Sequence, residues 1–197
     1  TVLYDGLDLS EWYSSNTNHL KHPCVGLLQN ANIWGKTKEM LTLGKVMEAL
    51  PHVTFYWAGD GPYREQVLSV LSKYHNFKWL GSLKYPDEVR EYLSEIDIYT
   101  LISGYDTFGM TVVEAEIMGI PVICTNVGGI SETMIENKTG FLVQKGNYKE
   151  LIDKISILLN DQNLRTKMGR EGQDFARQNF SWESICQRFI NTLKSTL

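Results

Sequence analysis

Ser103-Gly104-Tyr105-Asp106-Thr107-Phe108-Gly109-Met110-Thr111-Val112-Val113-Glu114-Ala115-Glu116 is the stretch of this 197-residue chain on which the fold turns. Ahead of it, Ile96-Asp97-Ile98-Tyr99-Thr100-Leu101-Ile102 runs almost unbroken in apolar and β-favouring residues, as does a strand covered on both faces of a parallel sheet. A helix is predicted from about Gly109, so its free backbone N–H groups face the C-terminal edge of that sheet. In open parallel sheets that edge binds ligands, and a helix N-terminus is suited to phosphate. Two carboxylates, Asp106 and Glu114, flank the Phe108-Gly109 turn. A carboxylate accepts two hydrogen bonds at once, which matches the adjacent hydroxyls of a sugar or ribose. Amides for phosphate beside carboxylates for hydroxyls imply a pocket for a nucleotide sugar. An isolated pair at this spacing is more often two solvated residues, so the rest of the chain decides.

Outward from that stretch, apolar runs ending in Gly or polar loops alternate with helix-period segments, the signal for βαβ units. Strands are predicted near 24–28, 53–58, 77–80, 96–102, 121–125 and 141–143. A helix near 37–50 carries Met40, Leu43, Met47 and Leu50 on one stripe. Pro62 is expected in the first turn of the next helix, Pro86 and Asp87 begin another, and Ser181 is the N-cap of the last. Residues 148–197 read as helix alone, and there is no internal repeat or Pro-rich linker. The expected fold is α/β: one domain over residues 1–197, a doubly wound, Rossmann-like parallel sheet of about six strands with helices on both faces.

Composition narrows the function classes. Nineteen Lys and Arg against 23 Asp and Glu give a net charge of −4, which gives no support for nucleic-acid binding. No apolar run is long enough to span a bilayer, no leader peptide pattern is present, and no basic patch points to a membrane surface. Cys24, Cys124 and Cys186 are odd in number and far apart, and are expected as reduced thiols in a reducing, cytoplasmic setting. On that reading Asn137-Lys138-Thr139 and Asn179-Phe180-Ser181 match the glycosylation pattern by chance. His19 and His22 lie three apart with no accompanying Cys or carboxylate cluster, so no metal site is expected. No G-x-G-x-x-G follows the first strand, which removes a dinucleotide-dependent dehydrogenase.

The chain resembles the group-one retaining glycosyltransferases of GT-B fold. Their signature, Glu, seven residues, Glu, written E-x-F-G-x-x-x-x-E-A, is similar to the stretch from Asp106 through Phe108-Gly109 to Glu114-Ala115. Other segments follow in family order: Val2 to Asp8; Val25-Gly26-Leu27-Leu28; Ala58-Gly59-Asp60-Gly61-Pro62; Trp79-Leu80-Gly81; Gly119-Ile120-Pro121-Val122 with Gly128-Gly129-Ile130-Ser131-Glu132; Thr139-Gly140-Phe141; and Phe180-Ser181-Trp182-Glu183. The resemblance covers nearly the whole chain and implies the C-terminal, donor-binding half of such an enzyme. An acceptor domain of the same protein would precede it, and the association would be cytoplasmic or peripheral at the cytoplasmic membrane face. It implies transfer of a sugar from a nucleotide-diphosphate sugar with retention, without metal or other cofactor, since no Asp-x-Asp is present; the isolated half would be inactive.

Residue by residue, the resemblance gives Asp106 the sugar, Glu114 the ribose, and Lys36 the leaving phosphate. Phe108, Gly109 and Met110 would bind the donor, the last two through backbone N–H groups, while Leu80, Gly81 and Leu83 would line the base. Gly59 lies in a tight turn that is a weaker candidate for ligand contact, and Gly128-Gly129 would form an anion nest. Two departures stand out. Asp106 is one methylene shorter than the family Glu, and Leu27 stands where the family has a phosphate-binding Arg, a contact worth about 1.5–3 kcal/mol. Arg64 or Arg90 would have to fold in to replace it. As a first-turn residue of the 37–50 helix, Lys36 would sit unfavourably against the helix dipole unless an anion joined it. Trp34 is expected to pack, and Glu116, on another side of the helix from Glu114, has no assigned role. A non-catalytic nucleotide-sugar binding module is the first alternative. A sugar-nucleotide epimerase is the second and weaker one, since His19, His22, His52 and His75 all lie outside the candidate ligand loops.

Overall fold

The structure is a computed structural model that describes residues 4–15 and 18–196; Val2 and Leu3 of the first family-like segment lie outside them. Six strands form one parallel sheet: β1 (Cys24–Leu28), β2 (Thr54–Ala58), β3 (Phe77–Gly81), β4 (Ile98–Leu101), β5 (Val122–Thr125) and β6 (Gly140–Val143). Their order is β3-β2-β1-β4-β5-β6. The chain therefore grows outward from β1 to β3, returns, and grows the other way from β4. That reversal opens a crevice above the C-terminal ends of β1 and β4, where neighbouring loops diverge. The helices are α1 (Trp34–Thr37), α2 (Leu43–Ala49), α3 (Arg64–Leu71), α4 (Asp87–Glu95), α5 (Met110–Ile117), α6 (Tyr148–Asn160), α7 (Gln162–Phe180) and α8 (Trp182–Thr196).

Period-two alternation divides the strand side chains between two cores. Val25, Leu27, Phe55 and Trp57 pack with Met40, Leu43 and Met47 on one face, joined by Leu151 and Ile155 of α6. Cys24, Tyr99 and Leu101 pack on the other with Leu93 of α4 and Val112, Val113 and Ile117 of α5. Each such side chain removed from water contributes roughly 1.5–3 kcal/mol, so covering both faces dominates the stability of the sheet. Ser181 accepts a hydrogen bond from the Ser184 N–H, as an N-cap of α8 should.

The segment read as one helix over 37–50 is three pieces. It starts at Trp34, passes through a 3-10 stretch at Lys38–Thr42 and continues as α2, yet keeps Met40, Leu43, Met47 and Leu50 buried. The 3-10 stretch lets the chain bend while holding the stripe inward. Pro62 lies in the turn before α3, which begins only at Arg64. Ile96 ends α4 instead of opening β4, because Asp97 turns its carboxylate back to the Cys24 N–H. Among the described residues no helix is long and apolar enough to cross a membrane.

Candidate nucleotide-sugar site

The loops at the switch point are pinned by their own backbone. Gly59 follows β2 at φ 146°, and a Cβ there would stand 2.1 Å from the Gln29 carbonyl oxygen, so only glycine lets these two loops touch. The indole of Trp57 donates to that same carbonyl at 2.8 Å, and Trp79 donates to the Gly59 carbonyl at 2.8 Å. Between these loops and α5 lies a cavity of about 350 Å³ lined by Leu28, Gln29, Asn30, Gly59, Ser82, Leu83, Tyr85, Val89, Thr111 and Glu114. One wall is the first turn of α5, which Gly109 opens at φ 91° and no side chain caps. Its leading N–H groups are directed to the edge where the sequence expects phosphate.

Glu114 projects from α5 into this cavity. It is only 6% exposed, and its carboxyl accepts no hydrogen bond from the described residues. Burial pushes it up to about 8, so the carboxyl is largely protonated at neutral pH. Across the cavity, burial and the facing Glu114 push the Tyr85 phenol upward. Thr111, one turn before Glu114, is fixed by a 2.6 Å hydrogen bond from the buried Tyr99 hydroxyl.

Asp106 and Lys36 meet each other. The ammonium of Lys36, at the end of α1, lies 2.5 Å from Oδ2 of Asp106, and the carboxylate is 8% exposed. The two loops are also tied by the Gly104 N–H, which donates to the Lys36 carbonyl at 3.0 Å. Lys145, from the loop after β6, donates to the Gly104 carbonyl at 3.0 Å. Three strand-end loops thus converge on Gly104 with two lysines and one aspartate.

Several residues named from sequence stand elsewhere. The Phe108 ring stacks on Tyr4 at 4.9 Å and meets Phe180 edge-on at 5.5 Å, so only its backbone borders the α5 N-terminus. Gly81 is committed to the loop pin, its carbonyl accepting the Gly59 N–H at 2.7 Å; Leu83 lines the cavity, and Leu80 and Gly81 do not. Met110 packs partly against the second core. Gly128-Gly129 holds no open nest, since Gly128 abuts the Asp106 carbonyl and the Gly129 N–H donates to it at 3.3 Å. Leu27 is fully buried in the first core and does not line the cavity. Arg64 pairs with Asp60 and Glu65 over the Trp79 ring, and Arg90 is held by Asp87, the Glu11 carbonyl and the Tyr13 ring. Neither replaces the missing guanidinium. Trp34 packs on Tyr63 at 5.6 Å. Glu116 is fully buried, its carboxyl oxygens meet no partner within ordinary hydrogen-bond geometry among the described residues, it lies against Gly172 of α7, and burial pushes it up to about 8. Thr139, whose hydroxyl moderates that rise, turns its hydrogen bonding to the Ile135 backbone. Gln29, Asn30, Ser82, Tyr85, Val89 and Thr111 line the cavity without having been singled out from sequence; their signal was position alone, just past strand ends at the switch point.

Comparison with known proteins identifies the family and the fold. Residues 35–175 match the family described as glycosyl transferases group 1. The chain is 28% identical over 160 residues to the sulfoquinovosyl transferase SQD2 of Arabidopsis thaliana, covering 80% of this chain and 31% of that protein. Its fold is similar to that of HepE from Anabaena, solved in complex with UDP and glucose, with a TM-score of 0.83 at 24% identity, covering 99% of this chain and 56% of that one. It is also similar to the C-terminal domain of a group 1 glycosyl transferase, LpcC, from Francisella tularensis, with a TM-score of 0.74 at 19% identity, covering 90% of this chain and all of that one. The chain thus spans about a third of the plant relative and about half of HepE.

Proposed function

Because this chain belongs to the group 1 glycosyl transferases, we propose that it is the half of such an enzyme that binds a nucleotide-diphosphate sugar and presents it for transfer with retention to an acceptor held by another domain. The observation that carries this reading is Glu114: a buried carboxyl with no hydrogen-bond partner among the described residues, aimed into a cavity at the switch point. A buried polar group without a hydrogen bond is costly, and the adjacent hydroxyls of a ribose would supply two donors. Such donors favour the carboxylate, so binding releases a proton and strengthens as pH rises toward about 8.

The base would lie between Leu83 and Tyr85, and the diphosphate against the first turn of α5. Lys36 would stabilise the departing phosphate oxygens, held in place by Asp106, whose carboxylate would also orient the transferred sugar. That charge stabilisation comes from groups already fixed before reaction, the arrangement that costs no reorganisation. The nucleophile is the acceptor hydroxyl, and its proton would leave through a group outside this chain. Relatives solved with UDP and glucose support a uridine donor as the first to try.

A panel of nucleoside diphosphates tests the reading by thermal shift. Ligand at 100 times its Kd should add about 2.7 kcal/mol of stability, and Glu114→Ala should erase it. A flat response to every nucleotide would overturn the proposal. The second reading, binding without transfer, is favoured by Leu27 in the core and by Lys36 being neutralised by Asp106; nucleotide-sugar binding without turnover in the longer protein would establish it.

A further inference from the structure

At the opposite, N-terminal edge of the sheet, three side chains of metal-binding type converge. Nδ1 of His22 lies 2.8 Å from Oδ2 of Asp97 and 3.7 Å from Sγ of Cys24, and the three candidate ligand atoms all lie within 4.8 Å of one another. We propose that His22, Cys24 and Asp97 bind a borderline divalent cation of the zinc type, as a structural site separate from the donor cleft.

The donor set selects the ion class. Sulfur and imidazole favour zinc or cobalt(II) over magnesium or calcium, which want oxygen throughout. The spacing agrees: a tetrahedral zinc with ordinary Zn–S and Zn–N bonds holds its sulfur and nitrogen about 3.6 Å apart. The His22–Asp97 contact would have to open to about 3.4 Å, a small movement for an imidazole that is 43% exposed. The Cys24 thiol beside this pair packs in the second core and donates to the Glu95 carbonyl at 3.8 Å, a bond that ligation would replace.

The backbone places these groups before any ion arrives. Parallel pairing of Val25 with Ile98 puts Cys24 beside Asp97 across the β1–β4 boundary. The Cys24 N–H donates to the same Oδ2 at 2.8 Å, which orients the carboxylate as a supporting hydrogen bond does around a metal. His22 stands two residues before Cys24, and the segment leading to it is anchored where the Glu95 carboxylate accepts the His19 and Leu20 N–H groups. Three protein ligands leave a fourth position on the solvent side, beside the exposed imidazole. On binding, the Cys24 thiol proton goes to solvent and the sulfur electron pair goes to the cation. The ion would clamp the segment entering β1 to the start of β4.

Cobalt(II) titration tests this directly, in untagged protein carrying Cys186→Ser so that the exposed thiol cannot contribute. The expected result is a near-ultraviolet sulfur-to-cobalt charge-transfer band and intense tetrahedral visible bands saturating at one equivalent, bleached by zinc. Cys24→Ser should lose the charge-transfer band, and His22→Ala and Asp97→Asn should weaken binding at least about tenfold. Should Cys24→Ser fail to fold, Asp97→Asn serves, because an amide oxygen can still accept the Cys24 N–H: zinc should raise the melting temperature of the background protein and not of this variant. Absence of the band in folded background protein, or its persistence in folded Cys24→Ser, overturns the proposal.

Discussion

The two edges of this sheet use carboxylates in opposite ways. At the N-terminal edge Asp97 is engaged by protein groups, taking the Cys24 N–H and the His22 ring, and Glu95 takes the N–H groups of His19 and Leu20. At the C-terminal edge Glu114 is as buried as Glu95 and accepts nothing from the described residues. Topology explains the contrast. Loops leaving β1 and β4 diverge to opposite faces and leave a gap above the switch point, whereas the segments entering those strands run side by side and can bond each other. A buried acid without a partner opposes folding, so its presence in a cavity points to a ligand more strongly than a paired acid does.

The largest effect that could break this comparison is Leu27→Arg, which restores the family's cation in sequence. Leu27 belongs to the core beneath the crevice, so the charge should cost more than about 3 kcal/mol in urea unfolding; a folded variant with tighter nucleotide binding would show that we have placed the edge wrongly. Next is Gly59→Ala, whose Cβ would meet the Gln29 carbonyl; a loss of about 1–3 kcal/mol, with weakened nucleotide binding, is expected from denaturation and calorimetry.

The buried acids give a pH test. Glu114 and Glu116 hold their protons to about 8, well above the ordinary carboxyl range, so the folded state binds more protons than the unfolded chain between those limits. Stability should therefore be greatest below about pH 4.5 as far as these two groups decide it, and should fall as pH rises to about 8, by roughly 1.4 kcal/mol per unit of separation for each group. Glu116→Gln should flatten its share of that decline without altering nucleotide affinity; Glu114→Gln should flatten its share and abolish binding. The smallest effect is His22→Ala in metal-free protein. It removes a half-exposed pair worth no more than about 1 kcal/mol and should leave nucleotide binding unchanged, which calorimetry would check.

The strands were legible because burial on both faces leaves near-continuous apolar runs, and all six appear within two residues of where those runs lie at either end. The helix over 37–50 was readable as a buried stripe and not as a shape, since Met40 and Leu43 face inward whether the backbone is α or 3-10. Glu114 stood out because its spacing from the Phe108-Gly109 turn places it one turn into α5. Phe108 misled: an aromatic beside a site reads as a ligand contact, yet its ring found Tyr4 and Phe180. Asp97 was hidden by its 75-residue separation from His22.

By itself, the sequence determined the fold class, the strand positions, the family and the carboxylate aimed at the switch point, because each rests on local periodicity or on spacing within one loop and helix. Only the tertiary structure decided that Lys36 is bound by Asp106, that Leu27 is core, that the glycine pair at 128–129 is closed by backbone, and that His22, Cys24 and Asp97 meet. Those facts depend on strand register and on which loops cross above or below the sheet, and contacts between residues far apart in the chain leave no periodic trace in it.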